Sequence, residues 1–520
     1  VADSMHAWLL VSAVTHTRLL SATRLVSRAA PFQRRAYQSS MGLADMVSKL
    51  VGMGEPGAPR VGVPAGNPAP LASDTAPSWE ELHGLWKEQA TDYERGFRER
   101  LAAGTGDEAC HLATVRVFDG TKADAERVVL YRDTAAWCPY CEKTWLALEE
   151  KRVPYTVKKI NMNCYGDKPD WFWKLNPSGG IPVASIDGQV ITESNEILMA
   201  IESTFTGAPY RALLPDQGDP SHPRVRPLLS LERQLFSCWF RWLTSSANEG
   251  AQRLNFISLM DSVDDELRQA GGPFFLGSEL SMVDCMFAPF LERMAASLPY
   301  YKGLPVRRQA QWRHVEAWFL AMEARPSYRH IASDFYTHCH DLPPQIGRCH
   351  ISGAEAQRWA DCIDGADGRA WRLPLLKADD EPQPLGGFGQ QDEAARREAA
   401  ERVIANHRNI VRFAARAGGR PGFPPASAPL SDPRASVLEA SIPQVDAALR
   451  HAVHALLDGP GGATARLSDG LEPPVVAASL GYLRDRISVP RDMGAPAARH
   501  LRANLNEVIE RVGAAAAAVA

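Results

Sequence analysis

At 520 residues the chain is too long for one compact core, and its length predicts about two or three domains with tails. Hydrophobic residues at 45% and charged residues at 23% argue against wholesale disorder and against a fibrous fold. The 57 Lys and Arg against 61 Asp and Glu leave a formal net charge of −4, which offers no broad positive field for nucleic acid or an anionic membrane.

From Met5 to Ala44 there is no acidic residue, while Arg18, Arg24, Arg28, Arg34 and Arg35 alternate with Ser, Thr, Leu and Ala. That is the composition of an organellar import peptide, so residues 1–44 read as a transit peptide. Arg34-Arg35-Ala36-Tyr37 suits a mitochondrial processing site and the Ser, Thr and Ala content suits a plastid peptide; an unaddressed tail is the remaining reading. No apolar run approaches the roughly 18–20 residues needed to cross a bilayer.

Residues 45–126 read as linker and helical arm. Gly54–Pro77 is rich in Gly, Pro and Ala, and Ser78, with Glu81 three residues on, predicts a capped helix running to about Leu101. The next segment, 127–207, predicts a strand over Arg127–Arg132, a helix over Cys138–Lys151 and a second strand over Pro154–Asn161. A short helix over Pro169–Leu175 follows, then strands Val183–Ile186 and Gln189–Thr192 about the turn Asp187-Gly188, and a helix from Ser194 to about Phe205. The order β-α-β-α-β-β-α is that of an α/β thioredoxin-like fold. After a Pro-rich break, helical patterns near 225–246, 250–270, 281–298 and 306–324 predict an all-α domain over 221–340. Residues 341–520 read as a helical extension with Pro/Gly-rich connectors, one of them at Leu342–Gly347. Its apolar stripes include Val403, Ile404, Val411; Val445, Leu449, Val453; and Leu501, Leu505, Val508, the last helix entered by Pro496.

The chemistry centres on Trp137-Cys138-Pro139-Tyr140-Cys141, set between a strand and a helix. A cysteine at a helix N-terminus faces unpaired N–H groups and the positive end of the dipole, which favour thiolate and lower its pKa from about 8.5. Cys138 is therefore the expected nucleophile, and Cys141, one turn on, the resolving thiol that attacks a mixed disulfide at Cys138. A zinc pair would need a second Cys or His pair, and none lies nearby, so no metal is expected. The nine cysteines are too sparse for a secreted disulfide scaffold and point to a reducing compartment. Gly180-Ile181-Pro182-Val183 suits a cis proline that turns the Ile181 backbone to pair with a bound peptide in strand fashion. Glu193 suits an ammonium group, Ser194 with the free N–H groups of the following helix a carboxylate, and Lys168 a second carboxylate.

Together, Cys138-Pro139, Lys168-Pro169-Asp170-Trp171-Phe172, Asn176-Pro177, Ile181-Pro182-Val183 and Glu193-Ser194 resemble cysteine-type glutathione transferases of the omega and lambda kind and the related dehydroascorbate reductases. The resemblance spans about Arg127 to Ile331 and implies glutathione as co-substrate, Cys138 as catalytic cysteine, and Lys168, Ile181, Pro182, Glu193 and Ser194 as glutathione contacts. Ser281-Met282-Val283-Asp284 matches the N-capping box of that superfamily's helical domain. Ser488-Val489-Pro490-Arg491-Asp492-Met493 is similar to longer transferase-like proteins of plants, algae and cyanobacteria. That likeness makes the extension part of the family and favours a plastid over a mitochondrion or the cytoplasm. Omega-type proteins usually lack the second cysteine, so Cys141 shifts the motif toward glutaredoxins.

The expected activity is glutathione-dependent thiol transfer or reduction through a Cys138 mixed disulfide, on glutathionylated, disulfide or dehydroascorbate-type substrates. Three readings stay open beside it: a non-catalytic scaffold subunit of an organellar assembly, conjugation of glutathione to electrophiles, and an iron–sulfur cluster held between two subunits by Cys138 and glutathione. A homodimer is usual for the superfamily. His338-Cys339-His340 with Cys349 and His350 reads as a solvated or locally bonded connector, Trp239, Phe240 and Trp242 as core, and Cys164 as an inert thiol.

Overall fold

In the computed structural model the described residues are 66–519, apart from 107, 119–123, 348, 378 and 460–469. The transit-peptide reading and the first part of the linker reading lie outside them. The arm forms two helices, α1 (Trp79–Gln89) and α2 (Asp92–Ala103), where one was expected. Ser78 and Glu81 make the anticipated capping box, but Ala90 turns extended and Thr91 with Glu94 builds a second box that starts α2.

A five-stranded sheet follows, in the order β1-β3-β2-β4-β5. Its strands are β1 (Val115–Arg116), β2 (Val128–Asp133), β3 (Tyr155–Ile160), β4 (Val183–Ile186) and β5 (Gln189–Ile191). β2 and β3 are parallel and every other pairing is antiparallel. The hairpin turn falls at Asp187-Gly188, both at positive φ (48° and 84°), the geometry of a type I′ turn. Helix α3 (Pro139–Lys151) connects β2 to β3, α4 (Asp170–Leu175) precedes β4, and α5 (Ser194–Thr204) closes the unit. The edge strand β1 was not anticipated. The rest is the thioredoxin-like plan expected from the sequence.

The helical part runs through α6 (His222–Thr244), α7 (Glu249–Ala270), α8 (Met282–Lys302), α9 (Arg313–Glu323) and α10 (Pro326–Arg329). Helix α8 is buried along its length and begins with the expected Ser281–Asp284 box; Asp284 Oδ1 also accepts from Phe275 N and Trp318 Nε1. Two further helices, α11 (Phe335–Ile346) and α12 (Gly353–Ile363), share the same core. The boundary placed at 340–341 therefore falls inside α11, and the connector expected at Leu342–Gly347 is mostly helix. Pro343 removes the N–H that would have served the Cys339 carbonyl, and the Tyr301 hydroxyl donates to that carbonyl instead, at 2.7 Å.

Helices α13 (Asp392–Ala414), α14 (Ile442–Asp458), α15 (Pro473–Arg484) and α16 (Ala495–Val519) build a second core. Leu82 and Trp86 of α1 are buried in it. Several contacts tie this extension back to the preceding parts. The Val489 amide donates to Thr337 Oγ1 at 3.0 Å, and Arg502 pairs with Asp334 at 2.5 Å with both side chains buried. Its connector between α13 and α14 also reaches the loop after β3: Ala428 N donates to Cys164 O at 3.1 Å and Arg434 pairs with Asp167 at 2.6 Å. No helix among the described residues is long and apolar enough to cross a membrane.

Candidate active site

Strand β2 ends in Asp133, and the chain turns through Ala135-Ala136 before α3 starts. Cys138 is the N-cap residue of α3, with Pro139 in the first helical position, where the missing N–H costs no helical bond. Asp133 Oδ2 holds the turn from beneath, accepting from Trp137 N at 2.5 Å and Cys138 N at 3.1 Å. Arg293 of α8 holds it from the other side: its guanidinium donates to the Trp137 carbonyl, pairs with Glu142 at 2.9 Å and lies 4.6 Å from the Trp137 ring centre. The Cys138 turn is thus fixed by a carboxylate from the sheet and a guanidinium from the helical part.

The Ile181–Pro182 peptide is cis, as expected. It follows Gly179, at φ 67°, where a Cβ would strike the Trp173 ring, so only glycine fits that approach. The Cys138 thiol points at the Ile181 carbonyl, Sγ to O 3.9 Å. Glu193, the N-cap residue of α5, makes no capping bond with its side chain and is exposed, and Ser194 is half-buried in the first turn. Lys168 is buried rather than exposed, its ammonium donating to Asn163 Oδ1 at 2.8 Å.

Cys141 is buried beneath Cys138, and its thiol pKa is pushed well above the ordinary value by burial first and then by its hydrogen bond to Cys138. Cys141 therefore remains a thiol at neutral pH. Cys164 is likewise inert, burial pushing it up to about 12. All nine cysteines are free thiols.

The His338-Cys339-His340 segment is a correction: it is buried helix, not solvated connector. His338 Nε2 meets Glu292 at 3.0 Å, His340 Nε2 meets Asp364 at 2.8 Å and the Cys339 thiol faces the Ala296 carbonyl, while His338 Nδ1 is buried without a hydrogen-bond partner. Trp239 and Trp242 are core, bonded to Ser297 and Glu249, and Phe240 packs on Phe236. Three residues at the site escaped the sequence reading: Asp133, Lys143 and Arg293. An acid closing a strand five residues before Cys138 is a visible signal for Asp133, whereas Arg293 lies 155 positions from Cys138 and carries none.

The model for the glutathione S-transferase N-terminal domain matches residues 137–204, and that for its C-terminal domain matches 233–321. The chain is 30% identical over 213 residues to probable glutathione S-transferase DHAR1, cytosolic, of Oryza sativa subsp. japonica, covering 40% of this chain and 90% of that protein. This chain belongs to the glutathione S-transferase family. The transferase is also 29% identical to glutathione S-transferase DHAR3, chloroplastic, of Arabidopsis thaliana, covering 32% of this chain and 59% of that protein. Glutathione S-transferase omega-1 of Sus scrofa is 28% identical, covering 31% and 65%. The relatives are thus of the cysteine-type kind, and the family's co-substrate is glutathione. The C-terminal family model ends at residue 321, and α10 to α16 lie beyond it.

Proposed function

We propose that this transferase carries out glutathione-dependent thiol transfer or reduction, with Cys138 as the sulfur that bonds glutathione. The observation that carries the reading is the Cys138 thiol at the start of α3 facing the Ile181 carbonyl beside the cis Pro182. The Cys138 thiolate attacks the glutathione sulfur of a mixed disulfide, the acceptor leaves as a thiolate that takes a proton from solvent, and Cys138 is left glutathionylated. A second glutathione thiolate then attacks the bound glutathione sulfur, giving oxidised glutathione and returning the electron pair to Cys138. The raised, buried Cys141 thiol favours release by glutathione over release by Cys141. In this reading the Ile181 backbone holds the cysteinyl part, Glu193 the glutamyl ammonium, Ser194 and the α5 N-terminus its carboxylate, and Lys168 the glycyl carboxylate. Acceptors in that step are disulfides or glutathionylated thiols, while a dehydroascorbate-type oxidant takes two electrons and two protons as the Cys138 thiol and one glutathione become the mixed disulfide; the import-type composition of 5–44, with the likeness to plant and algal proteins, supports a plastid location.

The test is turnover of hydroxyethyl disulfide with glutathione by Cys138→Ser. We expect at least about a thousandfold loss; wild-type rates in the variant would end the proposal.

A further inference from the structure

The helix that starts at Cys138 carries a buried cation to which the cycle above gives no role. Lys143 lies on α3, five residues beyond Cys138, and is 2% exposed. Its ammonium donates to Asn195 Oδ1 at 2.6 Å and approaches Met286 Sδ at 3.6 Å, with the Tyr140 ring centre 5.5 Å away. Three elements therefore converge on one nitrogen: the helix that starts at Cys138, the first turn of α5 directly after Glu193-Ser194, and α8 of the helical part.

The charged groups facing it are Glu232 and Arg233 from α6, Glu193 ahead of α5, and Cys138 at the head of its own helix. Glu232 is spoken for by Arg233, at 2.8 Å, and its other oxygen is buried without a hydrogen-bond partner. No carboxylate among the described residues forms an ion pair with Lys143. Burial pushes the ammonium down to about 7, opposed by Glu232, Cys138 and Glu193. A methionine would fill this space beside Met286 at no desolvation cost, so a charge held there needs a purpose other than packing.

We propose that Lys143 is a positioning residue of the thiol-transfer cycle: its ammonium stabilises the negative charge that returns to the Cys138 sulfur on release, and its bond to Asn195 keeps the glutamyl subsite in register with that sulfur. The inference rests on Cys138 being the glutathionylated sulfur. In the release step the Cys138–glutathione S–S bond breaks, the S–S bond of oxidised glutathione forms, and the electron pair leaves with Cys138. Lys143 keeps its proton throughout and supplies charge alone.

The experiment preloads the full chain with glutathione at Cys138 and follows release by added glutathione in rapid-quench mass spectrometry, with rates expressed per glutathione thiolate. In the wild type the rate falls about tenfold as pH rises through neutrality and Lys143 loses its charge. Lys143→Met is slow and flat across that range. Lys143→Arg, whose charge does not titrate there, is fast and flat. A Lys143→Met protein with the wild-type rate and pH limb overturns the proposal, as does a Lys143→Arg protein that keeps the limb; if the methionine variant fails to fold, the arginine variant decides. Failure of Cys138 to take up glutathione would instead sink the reading beneath it.

Discussion

Replacing Arg293 by methionine tests how far the helical part governs the reactive turn. The guanidinium is 1% exposed and serves the Trp137 and Pro289 carbonyls as well as Glu142. Methionine keeps much of the stem and removes the fork, leaving the Trp137 carbonyl without a partner and Glu142 without its counter-charge. An unsatisfied buried acceptor costs about 1–3 kcal/mol, and breaking a buried pair by removing one partner costs about 3–5 kcal/mol in all. Burial already pushes the Glu142 carboxyl well above the usual range, so the stranded group takes up a proton readily, and the loss shrinks as pH falls. In the double variant Arg293→Met/Glu142→Gln the pair disappears together, and the destabilisation is at least about 2 kcal/mol less than the sum of the two single changes. Urea unfolding followed by tryptophan fluorescence reads all four proteins, with thiol-transfer kcat measured on the same samples. A single variant that unfolds at the wild-type urea concentration, or a cycle that adds within about 0.5 kcal/mol, would refute the clamp.

Two other outcomes follow from Lys168 and from a histidine of the second core. Lys168→Ala raises the KM for glutathione about tenfold, the loss of one charge-assisted hydrogen bond, while kcat changes less than about twofold; the reverse split would remove Lys168 from the glycyl carboxylate. His451 of α14 is buried with neither ring nitrogen hydrogen-bonded, and burial pushes its pKa down to about 4 from 6.5. Between those values the unfolded chain binds a proton that the folded one refuses, so stability is intact above about 6.5 and falls with pH below it, by up to about 3 kcal/mol. His451→Leu removes that decline, and urea midpoints of the two proteins that run in parallel across the window would show the reasoning wrong.

Much of the transferase frame was legible because its signals are local. The Cys138 turn, the Asp187-Gly188 hairpin, the Ser281–Asp284 box and the proline at 182 each sit within a few residues of the geometry they impose. The break at Ala90 was not legible, since apolar periodicity continues across it and only Thr91 with Glu94 marks the restart. Helix α11 was lost to its prolines, whose freed carbonyl is served by Tyr301, a partner 38 positions away. Lys143 and Arg293 show the same limit at the site itself: their roles depend on Asn195, Met286 and Trp137 meeting them across three elements, and spacing along the chain holds no trace of that.

The burial of Leu82 and Trp86 among helices that begin more than 300 positions later bears on biogenesis. During synthesis the arm emerges early and must wait, its apolar stripe uncovered, until α13 and α14 leave the ribosome. Premature termination before α14 would strand that stripe in water, so such a truncated transcript yields not a smaller enzyme but a chain with an unsealed, adhesive flank.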